Sequence, residues 1–270
     1  MFDPEKLKEA AMAYRKHLEE HPGAANRPHV LLNLAQILHL IGKALGESNV
    51  EAGVFSQEEA IKLVDEIAKN YRYFENFDEA LYLKAMIHNY LGKKLKAVET
   101  WRVLSQKTST TLYGVHAFVA LGDHYFGQEE SDRALEQYQK ALGLLAKIEH
   151  PLEKAESLRI RYRIMWSAFR AGRFARVVNI AAYLLAPEDQ PITLQERDAF
   201  RSDAIELAAN SLFEEGNDKK IIDYIKGLPT EEASSAIGAQ LTKLYNLAEL
   251  HAKATQLGEL VLDRKSTRLN

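Results

Sequence analysis

Hydrophobic positions along this chain recur at helical spacing, in long stretches rich in Ala, Leu, Glu and Lys. No stretch shows the alternation of Val, Ile and Thr that is typical of strands, so the pattern predicts an all-α protein. The clearest stretch is 118–141, FVALGDHYFGQEESDRALEQYQKA. Gly122 and Ala134 lack bulk where two antiparallel helices would touch, and Leu121 and Tyr138 would fill the space beside that contact. Such a hairpin cannot bury its apolar face alone, which predicts neighbouring hairpins stacked against it.

The spacing of this hairpin resembles the tetratricopeptide repeat, whose pattern is W-x2-L-G-x2-Y followed by A-x3-F. Phe118 stands where the pattern has Trp, and Tyr138 where it has Phe. The resemblance implies an α-solenoid of stacked antiparallel helix pairs, wound as a right-handed superhelix.

A residue at the helix crossing marks each of five successive repeats. The markers are Ala35, Ala85, Gly122, Met165 and Ala209. The helix pairs predicted around them are 28–42 with 57–71, 78–92 with 95–105, the hairpin within 118–141, 158–171 with 174–185, and 199–215 with 218–226.

Local signals set the predicted helix ends. Ser56 with Glu59, and Thr193 with Glu196, have the spacing of capping boxes that start helices. Residues 43–55, which precede the first of these boxes, are predicted to form a surface loop. Glycines at turns that need a positive φ are predicted to end three helices. These are Gly92, Gly172 and Gly216.

The predicted organisation has four parts. Residues 1–27 carry the second helix of an incomplete repeat, 28–229 form a solenoid of about five helix pairs, and 230–262 begin a further repeat. Residues 263–270 (DRKSTRLN) fit nothing before them and resemble the translation of a sequencing adapter, the alternative being a short disordered tail. We therefore expect a gene product that continues beyond Leu262. At the other end, either the array begins on a half-repeat or an upstream part is missing.

Composition and motifs favour binding over catalysis. The net charge is −3 without a basic run, which argues against a nucleic-acid partner, and the absence of cysteine removes thiolate catalysis and Cys-ligated zinc. No phosphate-binding, dinucleotide-binding or nucleophile-elbow motif occurs, so we predict neither an enzyme nor a cofactor. No metal site is predicted. The pair His17 and His21 lacks the Glu that follows the first His of a zinc protease, and His116 with Asp123 and His124 has no visible third ligand. The longest apolar run, 180–186, is far shorter than the ~20 residues of a membrane span.

The first helices of stacked hairpins line the concave face of a solenoid. Their aromatic and polar residues that point away from the paired second helix are the predicted peptide-binding residues. They are Tyr82, Asn89, Asp123, Phe126, Tyr162, Trp166, Phe169, Arg170, Asn210 and Phe213. The alternative is that the rings among them pack one repeat against the next.

A more specific resemblance is carried by Arg161–Leu185 (RYRIMWSAFRAGRFARVVNIAAYLL) and Arg201–Asn217 (RSDAIELAANSLFEEGN). These segments are similar to bacterial envelope tetratricopeptide proteins, and Asp78–Leu104 fits the same order. The resemblance implies a scaffold in the periplasm or cell envelope that binds a protein or peptide. The alternatives are a cytoplasmic regulator of a partner protein and an accessory region of a larger enzyme whose catalytic domain lies outside this chain.

The chain departs from the repeats that clamp the carboxyl terminus of chaperones, which use Lys and Asn in the groove. The equivalent positions here carry no cation, which argues against such a clamp. They hold Leu32, Tyr82, Val119, Tyr162 and Glu206.

Overall fold

The computed structural model describes the backbone of residues 4–106, 111–186 and 191–267, and the side chains of 5–106, 111–186 and 191–259. Every regular element within these ranges is an α-helix, which confirms the predicted all-α class. The helices are α1 (Pro4–Glu20), α2 (Arg27–Gly46), α3 (Val50–Asn70), α4 (Phe77–Tyr90), α5 (Lys94–Gln106), α6 (Leu112–Gly127), α7 (Ser131–Leu145), α8 (Glu153–Arg170), α9 (Phe174–Leu184), α10 (Leu194–Glu215), α11 (Asp218–Gly227), α12 (Glu231–Leu247) and α13 (His251–Thr267).

The chain forms two compact units that divide between Leu121 and Gly122, inside α6. In the first unit α2 packs on α3 and α4 packs on α5. In the second, α8 packs on α9 and α12 packs on α13. Three of these contacts join helices that the repeat pattern predicts to be pairs. All five predicted markers of helix crossings are buried, namely Ala35, Ala85, Gly122, Met165 and Ala209.

The predicted surface loop at residues 43–55 is wrong, because most of this segment is helical. α2 continues to Gly46 and α3 starts at Val50, where the Asn49 side chain accepts a hydrogen bond from the backbone N–H of Ala52. A Cβ atom at Gly53 would lie 2.8 Å from the Gly42 carbonyl oxygen and 2.9 Å from the Gly46 Cα. Gly53 therefore lets α3 approach the backbone of α2 closely, and neither helix is broken there.

The predicted capping box at Ser56 and Glu59 is also wrong, since both residues lie inside α3. The buried Ser56 hydroxyl donates to the carbonyl of Leu38 in α2, at 2.9 Å. Glu59 accepts two hydrogen bonds of 2.8 Å from Arg15 of α1. The two side chains join three helices rather than starting one.

The second predicted capping box is confirmed. The Thr193 hydroxyl accepts from the Glu196 backbone N–H at 3.2 Å, and the Glu196 carboxylate accepts from the Thr193 backbone N–H at 3.1 Å. Hydrogen bonds from Arg159 and from Thr193 lower the pKa of Glu196 to about 2. This carboxylate is thus charged across the physiological range, and it ties the start of α10 to α8.

The three predicted turn glycines have positive φ, as expected for glycine at the end of a helix. The φ values are 69° at Gly92, 66° at Gly172 and 62° at Gly216. The turn after α6 achieves the same conformation with Glu129, at a φ of 63°.

The limits of the four predicted parts remain predictions. The segment interpreted as an adapter translation overlaps the end of α13, whose backbone is described as helical to Thr267. The side chains beyond residue 259 lie outside the described residues.

Candidate functional site

An open cleft of about 340 Å³ lies in the second unit, between α6 and α8. Five of the ten predicted peptide-binding residues line it, together with two residues that were not predicted to bind. The predicted ones are Asp123, Phe126, Tyr162, Trp166 and Arg170, and the additional ones are Tyr138 and Arg163.

The floor of the cleft is set by the contact of α6 with α7. Tyr138 of α7 lies against Gly122, where an added Cβ would come within 2.6 Å of the ring carbon Cδ1. The ring is only 1% exposed, and its hydroxyl donates to Oδ1 of Asp123 at 2.6 Å. Burial, followed by the nearby Asp123 carboxylate, raises the pKa of this hydroxyl, so it stays protonated and remains a donor.

Asp123 also receives a hydrogen bond from Arg163 of α8. The Arg163 Nε donates to the same Oδ1 atom at 3.0 Å, which links the two helices that border the cleft. The Asp123 side chain is still 49% exposed. One edge of the cleft therefore presents a carboxylate that Tyr138 and Arg163 hold in place.

Arg170 gives the cleft a positive charge, in contrast to the carboxylate of Asp123. Its guanidinium carbon lies 3.9 Å from the centre of the Phe126 ring, a cation–π arrangement, and its Nη1 donates to the Phe126 carbonyl at 3.4 Å. The side chain is exposed. No carboxylate within the described part of the chain forms an ion pair with it. Arg170 thus offers an uncompensated, oriented guanidinium beside an aromatic ring.

Asp203 of α10 orients the aromatic wall of the cleft. Its Oδ2 atom accepts from the Tyr162 hydroxyl at 2.5 Å and from the Trp166 Nε1 at 3.2 Å. The Tyr162 ring also stacks on Phe200, with the ring centres 4.2 Å apart and an angle of 15° between the planes. Burial and the bond to Asp203 raise the pKa of Tyr162. The Tyr162 hydroxyl and the Trp166 Nε1 therefore both have their hydrogen-bond acceptor outside the cleft.

The other five predicted residues lie elsewhere. Tyr82, in the first unit, packs on Tyr113 and His116 with ring centres 5.6 Å apart. Phe169 lies near Phe174 and Phe213 near Tyr245, at 6.1 Å and 5.5 Å between ring centres. Asn210 donates to the Glu206 carbonyl of its own helix, and Asn89 is exposed. Tyr82 and Phe213 thus contact rings of the next repeat, as in the alternative interpretation, whereas Phe169 contacts the second helix of its own pair.

Arg163 was not among the predicted residues, because it lies two positions before the Met165 marker. The predicted residues of α8 lie three positions before that marker or one, four and five positions after it. Arg163, Trp166 and Arg170 are spaced i, i+3 and i+7, which places them on one face of α8. Tyr138 was assigned only to the hairpin core, and its buried hydroxyl contributes to the site through its bond to Asp123. Helical periodicity read backward from Arg170 would have found the arginine.

No group of three or more His, Cys, Asp or Glu residues with the arrangement of a metal site occurs among the described residues. His17 and His21 lie with ring centres 4.9 Å apart at the end of α1.

Of the helices in the described ranges, none combines the length and the apolar character that crossing a bilayer requires.

Comparisons with known proteins identify the fold. No family model matches the chain, and no curated protein matches it. Among solved structures it is similar to BtubC (BKLC) from P. vanneervenii, with 12% identity, a TM-score of 0.53, and coverage of 99% of this chain and 91% of that chain. It is also similar to the nearly identical TPR-like repeats of a Podosopora anserina protein described as a kinesin light chain, with 15% identity, a TM-score of 0.51, and coverage of 82% and 99%. Together with the paired helices and buried crossing positions, these similarities show that the chain has the fold of the tetratricopeptide-like repeat proteins.

Proposed function

We propose that this chain is a non-catalytic, peptide-binding repeat protein that holds an extended segment of a partner in the cleft between α6 and α8. The observation that carries the proposal is the lining of that cleft, where two aromatic rings, Phe126 and Trp166, lie beside the guanidinium group of Arg170. Trp, Tyr and Arg are the residues most enriched where protein interfaces derive their binding energy.

The rigidity of the cleft supports this proposal. Tyr138 and Arg163 fix Asp123, and Asp203 holds both Tyr162 and Trp166. Side chains that are already ordered lose little conformational entropy when a ligand binds. The similarity in fold to repeat proteins of the tetratricopeptide type is consistent with a binding role but names no partner.

A selection of random displayed peptides against the full chain tests this function. We expect enriched peptides that bind the wild type and are lost with Phe126→Ala and with Trp166→Ala. The matched control is Tyr183→Ala, which removes an aromatic ring that is 46% exposed on α9 and outside the cleft. Enriched peptides that tolerate both cleft substitutions, or the absence of any enriched peptide, would contradict the proposed function.

We further propose that the chain works in a bacterial cell-envelope assembly. This part rests on the resemblance of Arg161–Leu185 and Arg201–Asn217 to envelope repeat proteins. The complete gene with its neighbours tests it. A secretion or lipoprotein signal upstream, among genes of envelope assembly, is the expected result. A gene product that fractionates with the cytoplasm would contradict it.

A further inference from the structure

We infer that the ligand of the α6–α8 cleft is an extended segment in which an internal acidic side chain and an apolar side chain lie two positions apart. This inference rests on the proposed function and adds the chemistry of the partner. It follows from the charges around the cleft and from the spacing of the groups on α8.

The two arginines of the cleft differ in whether a carboxylate of this chain already binds them. Arg163 already donates to Asp123, whose carboxylate would repel a second acidic group at that end. Arg170 is exposed, lies over the Phe126 ring, and has no ion-pair partner within the described ranges. A carboxylate of the ligand therefore finds its favourable site at Arg170 and an unfavourable one beside Asp123.

The spacing along α8 sets the pattern of the ligand. Trp166 and Arg170 are four residues apart on one helix, a distance of about 6 Å along its axis. In an extended chain, side chains two positions apart point to the same side and are separated by about 6.6 Å. If an acidic side chain of the ligand binds Arg170, the ligand side chain two positions away lies at Trp166. An apolar side chain matches that ring best.

An internal side chain suits this arrangement better than a chain terminus. Capture of a terminal carboxylate usually involves several converging donors. Arg170 offers a single guanidinium whose Nη1 is already bonded to the Phe126 carbonyl, and Phe126 and Trp166 extend the contact surface beyond it. The ligand is therefore held by a charge and a ring at separate points along its length.

The sequences of the selected peptides give the first test. We expect those that depend on Phe126 and Trp166 to carry Asp or Glu two positions from a large apolar residue. Peptides that depend on the cleft but lack this pair would overturn the inference and leave the proposed function standing. A selection without any peptide that depends on the cleft would contradict the proposed function itself.

Titration of one selected peptide, with both ends blocked, gives the second test. Replacing its acidic residue by the corresponding amide should weaken binding to the wild type about tenfold, as expected for a lost charge-assisted hydrogen bond. In the Arg170→Gln variant the same replacement should change the affinity less than about twofold. An equal effect in both proteins would overturn the assignment to Arg170.

Two controls accompany the titration. Arg161→Gln removes another arginine of α8, one that lies 4.3 Å from the centre of the Tyr183 ring and outside the cleft, and should retain the tenfold effect. A peptide without internal acidic residues but with a free carboxyl terminus should bind no better than the amide form. Tight binding of that peptide would assign Arg170 to a chain terminus and overturn the internal site.

Discussion

The ring of Tyr138 occupies the space that a side chain at position 122 would need, and its hydroxyl donates to the next residue, Asp123. The same tyrosine therefore closes the α6–α7 hairpin and orients a charged group at the edge of the candidate cleft. Packing and site geometry are coupled here through one buried residue, so substitutions at these positions separate the two roles.

Gly122→Ala should destabilise the second unit. Its Cβ would lie 2.6 Å from the Cδ1 atom of Tyr138, a residue that is 1% exposed. Overpacking of this kind costs about 1–3 kcal/mol, which the urea midpoint of the helical circular dichroism signal would report. Gly127→Ala in the same helix is the control, because nothing lies within 4 Å of its added Cβ. Equal midpoints for the two variants would contradict the proposed crossing.

Asp123→Ala should leave the Tyr138 hydroxyl buried without its acceptor. An unsatisfied buried donor costs about 1–3 kcal/mol, so the free energy of unfolding should fall by that amount. Asp123→Asn keeps an oxygen in place and should recover most of the loss. If Ala and Asn lowered the stability equally, the hydrogen bond from Tyr138 would not be the cause.

Acid should destabilise the first unit through His88, which is 6% exposed. Burial, and then the charges of Lys84, Lys96 and Lys93, lower its pKa below 6.5, while Asp65 opposes the shift weakly. As the pH falls below 6.5, the unfolded chain takes up a proton that the folded imidazole resists, so stability declines until the folded-state pKa is passed.

The measurement for His88 is the thermal midpoint at pH 7.5 and at pH 5.5, for the wild type and for His88→Gln. The substituted side chain does not titrate, so the difference between the two midpoints should shrink. A difference unchanged by His88→Gln would assign the acid sensitivity to other groups.

Thr193→Ala should weaken the start of α10. The threonine hydroxyl accepts the Glu196 backbone N–H in the capping box, and loss of such a cap costs about 1 kcal/mol. Thr193→Ser retains the hydroxyl and should be close to neutral, as judged by the same urea midpoint. A loss with Ser as large as that with Ala would show that the cap is not what the threonine contributes.

The fold was largely predictable because the spacing of small and aromatic residues reflects the contact between two helices that are neighbours in sequence. Gly122 leaves space for the ring of Tyr138, which is close in sequence. A positive φ at a helix end favours glycine, and this holds for Gly92, Gly172 and Gly216. The helical structure around Gly46 and Gly53 was not predicted, because glycine can also serve a close contact between helices. At Gly53 that contact is with the backbone of α2, and it is tertiary.

The candidate site was less predictable, since the face of a helix does not say what lies opposite it. Phe126 and Phe213 occupy equivalent places in their repeats, but Phe126 has Arg170 over its ring and Phe213 lies near Tyr245. Periodicity alone places Arg163 on the same face of α8 as Arg170, but its bond to Asp123 depends on α8 lying beside α6. Periodicity predicts which residues share a face of a helix. Whether that face packs or binds a ligand depends on the neighbouring repeat.

Asp203 stands outside the cleft, yet a single oxygen of its carboxylate accepts from both Tyr162 and Trp166. A change at this one position would remove the hydrogen-bond acceptor of two rings together. A substitution at Asp203 can thus change which ligands the cleft prefers, although α10 does not line the cleft. Evolution can alter specificity at this position while every residue that lines the cleft stays the same.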